Sequence, residues 1–142
     1  MKILMVGSGY VGLVSGLCFA EFGFETVCVD NDHTRLKSIS EGITPFYEPG
    51  LDDLLEKHIH STKLLSLSSD LAREVMKADV IFITVGTPSR RLEDEADLSS
   101  IFDVAKEIAI NISKYSVIVI KSTVPVGTTR KIKKIILDHI SQ

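Results

Sequence analysis

The sequence predicts a doubly wound α/β fold, in which helices cover both faces of a parallel sheet. Short apolar runs typical of strands alternate with longer stretches typical of helices, which is the pattern of successive βα units. Two of these runs, Val80–Ile83 and Val117–Ile120, are apolar at every position. Strands with that pattern are buried on both faces. We therefore expect both to lie in the centre of the sheet.

The alternation divides the chain into five strands and six helices. The strands are predicted near residues 2–6, 26–30, 63–66, 79–85 and 116–121. The helices are predicted near residues 10–22, 33–41, 51–59, 69–77, 99–113 and 128–140, the second of them closed by Gly42. In the usual strand order of this fold, 3-2-1-4-5-6, a ligand crevice opens between the first and fourth strands.

Size and composition indicate one compact domain. The 142 residues are 44% hydrophobic and 25% charged, and the formal net charge is −3. That charge gives no general attraction to nucleic acid or to an anionic membrane. No apolar run approaches the roughly 18 residues that span a bilayer, so we expect a soluble, cytoplasmic protein. Cys18 and Cys28 lie in apolar stretches and are expected to be buried, reduced thiols.

The most informative motif lies in the first thirty residues. Gly7, Gly9 and Gly12 have the spacing GxGxxG, and they stand between a predicted strand and a predicted helix. A lone GxGxxG is weak evidence, but Asp30 follows Gly12 by 18 residues at the end of the next strand. This arrangement is typical of a dinucleotide site, where a carboxylate about 20 residues beyond the glycines binds a ribose.

Each part of this motif has its own physical role. Gly7 allows a sharp turn, Gly9 lets a pyrophosphate approach the backbone, and Gly12 lets the helix pack closely. The amides of the first helical turn then face the phosphates. Asp30 is expected to accept both ribose hydroxyls and to repel a 2′-phosphate, which favours NAD over NADP. Arg35 opposes this preference, because a guanidinium binds such a phosphate well.

Two further segments are predicted to border the crevice. The first follows the fourth strand and begins with Val85, Gly86, Thr87 and Pro88. The second ends the fifth strand, where Ser122 and Thr123 place two hydroxyls side by side.

Four motifs occur in order along the chain: GSGYVGLVSGLCFAEFG, PFYEPGL, VGTPS and KSTVPVGT. With these motifs the chain closely resembles, nearly from end to end, the N-terminal domain of the UDP-glucose/GDP-mannose dehydrogenase family. The resemblance implies a Rossmann-like domain that binds NAD. It also implies a set of cofactor-binding residues: Gly7, Ser8, Gly9, Tyr10, Val11, Gly12, Asp30, Arg35, Val85, Gly86, Thr87, Pro88, Ser122, Thr123 and Val124.

The resemblance further implies a reaction. The family oxidises the C6 alcohol of a nucleotide sugar twice, with two NAD, through a cysteine thiohemiacetal and a thioester. Thr123 would position a water beside the reacting carbon. The first motif looks most like the members that act on UDP-glucose, while GDP-mannose and UDP-N-acetylmannosamine remain alternatives. A homo-oligomeric parent enzyme is expected.

The catalytic cysteine, lysine and glutamate of the family fall after Gln142, as do the sixth strand and the dimerisation and substrate domains. We therefore expect residues 1–142 to bind NAD without catalysis, and to self-associate through the exposed fifth strand. A free-standing NAD-sensing module and a fold relic that binds nothing are the rival interpretations.

Other polar groups favour simpler interpretations. His58 and His60 are expected to be solvated rather than metal-bound, and no metal site is predicted. Arg130 begins a basic run that fits the polar face of the last helix. Glu48 fits helix initiation as well as ligand contact. Four loop acids are expected to stay hydrated: Glu93, Asp94, Glu95 and Asp97.

Overall fold

The computed structural model describes residues 1–87 and 97–140. The strands are β1 (Lys2–Val6), β2 (Glu25–Val29), β3 (Leu65–Ser68), β4 (Val80–Ile83) and β5 (Val117–Ile120). The helices are α1 (Tyr10–Glu21), α2 (His33–Ser40), α3 (Leu51–Glu56), α4 (Leu71–Val75), α5 (Ser99–Asn111) and α6 (Thr128–Ile140). A π-helical turn, Lys57–Ser61, continues α3 directly.

The five strands form one parallel sheet in the order β3-β2-β1-β4-β5. This confirms the predicted doubly wound fold. All five predicted strands and six predicted helices are present, with shifted ends. β3 begins at Leu65 and extends to Ser68, where a strand over 63–66 was expected, and α3 ends at Glu56, three residues before its expected end.

The sheet separates two apolar cores. Because side chains alternate along a strand, Leu4 and Val6 of β1 pack into the core formed with α4, α5 and α6. Ile3 and Met5 pack into the opposite core, formed with α1, α2 and α3. β1 is therefore covered on both faces, and its carboxyl end is held rigidly where the glycine turn begins.

The expectation that both apolar strands are central was wrong for β5. β4 lies between β1 and β5, but β5 pairs only with β4 among the described residues. Val117 is 44% exposed, and the other three side chains are half-buried. Ile118 and Ile120 pack against the core, which accounts for the apolar pattern. An apolar run records contact with a core but not the number of neighbouring strands.

The two cysteines differ in burial. Cys28 is fully buried in β2, and burial raises the pKa of its thiol to about 12. Cys18 is exposed on α1, so the expectation of two buried thiols was wrong for that residue. Apolar residues occur all round α1, so apolar neighbours in the sequence do not show which side of the helix a residue is on. Cys18 is on the outer side.

The expectation of a solvated His58 was also wrong. Its side chain is buried, with Nε2 2.7 Å from Glu21 Oε2 and Nδ1 2.9 Å from Thr62 Oγ1. The π-helical turn brings this ring against α1. Hydrogen bonds from Lys57 and then His58 lower the pKa of Glu21. His60 is half-exposed beside Glu56.

Within residues 1–87 and 97–140, no cluster of three or more histidine, cysteine or acidic side chains is arranged to hold a metal ion. In the same ranges, every helix is too short or too polar to cross a bilayer.

Of the four loop acids that were expected to stay hydrated, Glu93, Asp94 and Glu95 lie outside the described residues. Asp97 Oδ1 accepts the backbone N–H of Ser99 at the start of α5.

The edge position of β5 generates a prediction about self-association. Residues 1–142 should show a mass that rises with concentration in static light scattering, because an unpaired parallel edge offers free backbone groups to a second chain. Val119→Lys should suppress this rise, since Val119 belongs to neither core and a lysine blunts an edge strand. Ile110→Lys, a matched change on the exposed face of α5, should leave it unchanged. A monomeric mass at every concentration would contradict the prediction.

Candidate cofactor site

The turn between β1 and α1 is built on two close backbone approaches. Gly7 has φ +104°, a conformation that side chains other than glycine's rarely allow, and its N–H donates to Val29 O at 2.7 Å. A Cβ on Gly12 would lie only 1.7 Å from the carbonyl oxygen of Gly7. The first turn of α1 therefore rests directly on the glycine turn, as the spacing predicts.

Thr84 locks this turn from the side of β4, and the sequence reasoning missed it. The residue is buried, and its Oγ1 lies 2.8 Å from Val6 O and 2.9 Å from Gly7 O. Its backbone N–H donates to Val6 O at 2.9 Å. The sequence does contain a feature that could have identified Thr84. It is a hydroxyl residue directly after the VIFI strand, one residue before the segment that was predicted to border the crevice.

The amino end of α1 has free donors. The first bond of the helix runs from Leu13 N–H to Gly9 O, so the N–H groups of Tyr10, Val11 and Gly12 have no partner within the helix. No side chain caps this end, and no acid lies in its first turn. A Cβ on Gly9 would meet nothing within 4 Å, so the space in front of these donors is open. The combination suits an anion.

Asp30 lies at the carboxyl end of β2 and is buried. Its Oδ2 accepts hydrogen bonds from Ser8 N–H at 2.7 Å and Ser8 Oγ–H at 2.8 Å, and its Oδ1 accepts Asp32 N–H at 3.0 Å. Burial by itself would raise the pKa of Asp30. The hydrogen bonds from Asp32, Ser8 and Arg35 outweigh burial and hold that pKa below its usual value.

Arg35 is engaged by carboxylates rather than free. Its Nη1 lies 2.9 Å from Asp30 Oδ2, and its Nη2 lies 3.5 Å from Asp32 Oδ2. The guanidinium that would accept a 2′-phosphate is therefore already paired with two acids.

A groove of about 600 Å³ opens along the carboxyl ends of β1, β2 and β4. The glycine turn lines it together with Asp30 and Arg35, and so do Asp103 and Glu107 of α5. Predicted site residues on this groove are Gly7, Gly9, Asp30, Arg35, Val85 and Gly86.

A smaller cavity of about 270 Å³ adjoins the groove, since both are lined by Gly9, Thr84, Val85 and Gly86. Its other predicted site residues are Tyr10, Val11, Thr87, Ser122 and Thr123. Lys121 also lines it and was not predicted.

Hydrogen bonds join the two segments that form this smaller cavity. Ser122 Oγ donates to Val85 O at 2.6 Å, and Thr87 Oγ1 donates to Thr123 O at 3.1 Å. The Ser122 hydroxyl is thus used to hold β5 against β4, whereas the Thr123 side chain is exposed.

Three predicted site residues line neither cavity. Ser8 and Gly12 are buried beneath the glycine turn, and Val124 packs against the core on the α5 and α6 side. Pro88 lies outside the described residues. The structure thus brings most of the predicted residues to two continuous cavities and leaves these three in supporting positions.

Fold and site together define a dinucleotide-binding domain of the Rossmann type. A parallel sheet, a glycine turn leading into an uncapped helix and a carboxylate at the end of β2 are its diagnostic parts. The comparison with known proteins identifies the family. The NAD binding domain of the UDP-glucose/GDP-mannose dehydrogenase family matches residues 1–142, and the chain belongs to this family of nucleotide-sugar dehydrogenases. Its cofactor is NAD.

Individual relatives agree with this assignment. The chain is 50% identical over 138 residues to a UDP-glucose 6-dehydrogenase of Rhizobium meliloti, covering 97% of the chain and 31% of the relative. It is 45% identical over 135 residues to one of Bacillus subtilis, covering 95% of the chain and 29% of the relative. The chain thus spans about a third of the length of the curated relatives it matches.

Solved structures show the same fold. A GDP-mannose dehydrogenase ternary complex from Pseudomonas aeruginosa superposes with a TM-score of 0.93 at 36% identity, covering all of the chain and 33% of that structure. A UDP-glucose dehydrogenase from Pyrobaculum islandicum superposes with a TM-score of 0.90 at 29% identity, covering 98% and 33% respectively.

The glycine turn generates a prediction that separates folding from binding. Gly12→Ala should lower the free energy of unfolding by more than about 3 kcal/mol, because the clash with Gly7 O exceeds ordinary overpacking. Gly9→Ala should leave the melting temperature nearly unchanged but weaken NAD binding, because its Cβ enters the open space that the ligand needs. Calorimetric unfolding and NAD titration measure the two effects. Equal loss of stability in both variants would contradict this account.

The lowered pKa of Asp30 generates a prediction about acid stability. A carboxylate with a lowered folded pKa stabilises the native state above its unfolded pKa of about 3.9, and this contribution is lost as pH falls through the folded value. The difference in free energy of unfolding between the wild type and Asp30→Asn should therefore be constant from about pH 5 to 8 and shrink below about pH 4. Urea unfolding across this range measures it. A difference that grows on acidification would refute the assignment.

Proposed function

We propose that this chain is the NAD-binding part of a UDP-glucose 6-dehydrogenase, an enzyme that oxidises UDP-glucose to UDP-glucuronate with two NAD. One observation carries the proposal: the glycine turn and buried Asp30 line one groove, and this groove adjoins a second cavity lined by Tyr10 and Val11, whose N–H groups are unpaired within α1. The groove has the size and polarity for an adenosine diphosphate, and the smaller cavity has room for a nicotinamide.

The fit to NAD follows from the donor set. The N–H groups of Tyr10, Val11 and Gly12 would hold the pyrophosphate, because they are unpaired in the helix and lie at its positive end. Gly9 would allow the phosphates to approach the backbone. Ser8 would act indirectly, by fixing the carboxylate of Asp30 through two hydrogen bonds.

Discrimination against NADP would come from Asp30. Its carboxylate stays ionised at neutral pH, and Oδ1 has one protein partner among the described residues, so it retains capacity for a ribose hydroxyl. A 2′-phosphate would place negative charge beside this carboxylate. Arg35 would not offset the repulsion, because it is already paired with Asp30 and Asp32.

The smaller cavity is where the redox chemistry would occur. When bound, NAD accepts a hydride from the alcohol carbon of the sugar. Val85, Gly86, Thr87, Ser122 and Thr123 would line the nicotinamide end, and the family resemblance adds Pro88 and Val124 to this set. We propose that Thr123, whose side chain is exposed at this cavity, orients a water beside the reacting carbon. A threonine hydroxyl orients water but is too weak an acid or base to move the proton alone.

The thioester chemistry of the family needs a cysteine thiolate, and neither cysteine of this chain is suited to supply it. Cys28 is fully buried with a pKa raised to about 12, and Cys18 lies on α1; neither lines either cavity. Residues 1–142 are therefore proposed to bind NAD without oxidising the sugar.

We further propose a cytoplasmic, homo-oligomeric parent enzyme whose product, UDP-glucuronate, supplies polysaccharide biosynthesis.

The choice of UDP-glucose rests on the two curated relatives that are 50% and 45% identical. GDP-mannose is the second candidate, favoured by the solved GDP-mannose dehydrogenase at a TM-score of 0.93. A stand-alone NAD-sensing module shares the cofactor site and differs in lacking any nucleotide-sugar reaction.

Cofactor titration tests the proposal. Isothermal titration of residues 1–142 should give a heat with NAD and a rise in melting temperature, with NADP binding at least about tenfold more weakly. Asp30→Asn should weaken NAD about tenfold and narrow the difference between the two coenzymes, because the charge that repels the 2′-phosphate is gone. Tighter binding of NADP than of NAD by the wild type would overturn the assignment of Asp30.

A second measurement addresses the sugar reaction. Residues 1–142 mixed with NAD and UDP-glucose should produce no NADH absorbance. A gene product in which this domain is followed by the family's cysteine-bearing region should produce two NADH per UDP-glucose and fewer with GDP-mannose. Turnover by residues 1–142 alone would contradict the proposed need for a further cysteine.

A further inference from the structure

Tyr10, the first residue of α1, contacts a distant loop. Its hydroxyl donates a 2.6 Å hydrogen bond to Glu48 Oε2, and its ring centroid lies 4.8 Å from that of Phe46. Both partners belong to the connection between α2 and α3. We refer to Tyr10, Phe46 and Glu48 as the tyrosine clamp. The clamp joins Tyr10 to residues 36 and 38 positions further along the sequence.

Tyr10 belongs to the clamp and also to the candidate cofactor site. The residue lines the smaller cavity, together with Thr87 and Thr123 from the ends of β4 and β5. The residue is about half exposed, so the core by itself does not hold its side chain in place. A tyrosine in that setting samples several rotamers unless other contacts select one. Glu48 and Phe46 supply those contacts.

The loop side of the clamp is anchored independently of any ligand. Phe46 is half-buried against the core that contains α1 and α3. Thr44 Oγ1 donates to Asp52 Oδ1 at 2.6 Å, and Leu51 N–H donates to Glu48 O at 3.1 Å. Glu48 therefore stands at the start of α3 on a fixed backbone, and its carboxylate reaches outward to Tyr10.

We propose that Glu48 is a positioning residue, which holds the Tyr10 ring as one wall of the smaller cavity and so shapes the nicotinamide end of the site. The inference rests on the proposed function, because it takes that cavity as the nicotinamide end. Sequence reasoning left Glu48 open between helix initiation and contact with a substrate or a second domain. Its backbone does serve that turn, whereas its side chain is committed to Tyr10.

The chemistry of the pair favours a lasting contact. The hydrogen bond to Glu48, together with the negative charge of that carboxylate, raises the pKa of Tyr10. The phenol therefore stays protonated and remains the donor at neutral and moderately alkaline pH. Tyr47, between the two loop partners, is 85% exposed and shares none of these contacts.

Comparing two ligands on residues 1–142 tests the inference. Both ligands carry the adenosine, the pyrophosphate and the second ribose, and ADP-ribose lacks only the nicotinamide ring. Tyr10→Phe and Glu48→Ala should weaken NAD about threefold to tenfold, as expected for loss of a hydrogen bond to a charged group, and should change ADP-ribose less than about twofold. Glu48→Gln should lose less NAD affinity than Glu48→Ala, because its amide oxygen still accepts the bond.

Tyr47→Phe is the matched control, since it removes an exposed hydroxyl from the same loop and should change neither affinity. Melting temperatures of all variants show whether the fold is kept. Equal weakening of NAD and ADP-ribose would overturn the inference and assign the clamp a purely structural role. Unchanged NAD affinity in both Tyr10→Phe and Glu48→Ala would overturn it as well. A wild type that binds neither ligand would instead overturn the proposed function, and this inference with it.

Discussion

The rest of the site depends on the contact between Gly12 and the carbonyl of Gly7. A Cβ at Gly12 would lie 1.7 Å from that oxygen, so only a glycine lets α1 begin this close to the end of β1. The contact sets the direction of the helix axis, and the helix axis sets where the free N–H groups point. Thr84 completes the constraint from β4, with its hydroxyl between Val6 O and Gly7 O. Cofactor recognition therefore starts from backbone geometry, which the two buried cores hold in place.

The polar side chains around the turn are mostly committed to one another. Asp30 accepts bonds from Ser8, Asp32 and Arg35, and Arg35 also pairs with Asp32. Such a network is preorganised, because binding a ligand requires little rearrangement of charge. In the proposed binding mode, the open amino end of α1 attracts the diphosphate, and the carboxylate of Asp30 selects the sugar beside it.

In the proposed binding mode, the larger groove holds the adenosine end of NAD and the smaller cavity holds the nicotinamide end. Hydrogen bonds between Ser122 and Val85, and between Thr87 and Thr123, hold the ends of β4 and β5 together around the smaller cavity. Tyr10 of the tyrosine clamp lines the same cavity from the side of α1. Its walls thus come from segments that are far apart in sequence and are joined mainly by side-chain hydrogen bonds. Such walls adjust more readily than the glycine turn, whose contacts are made by backbone.

The sequence by itself determined the fold class, the strand order and the glycine turn with its carboxylate. These features depend on local periodicity and on residues that few other types can replace, such as Gly7 and Gly12. Tertiary structure alone decided the burial of His58, the exposure of Cys18, and the partners of Thr84, Arg35 and Glu48. Each of these depends on which distant segment packs against the residue, and neither residue type nor spacing encodes that neighbour.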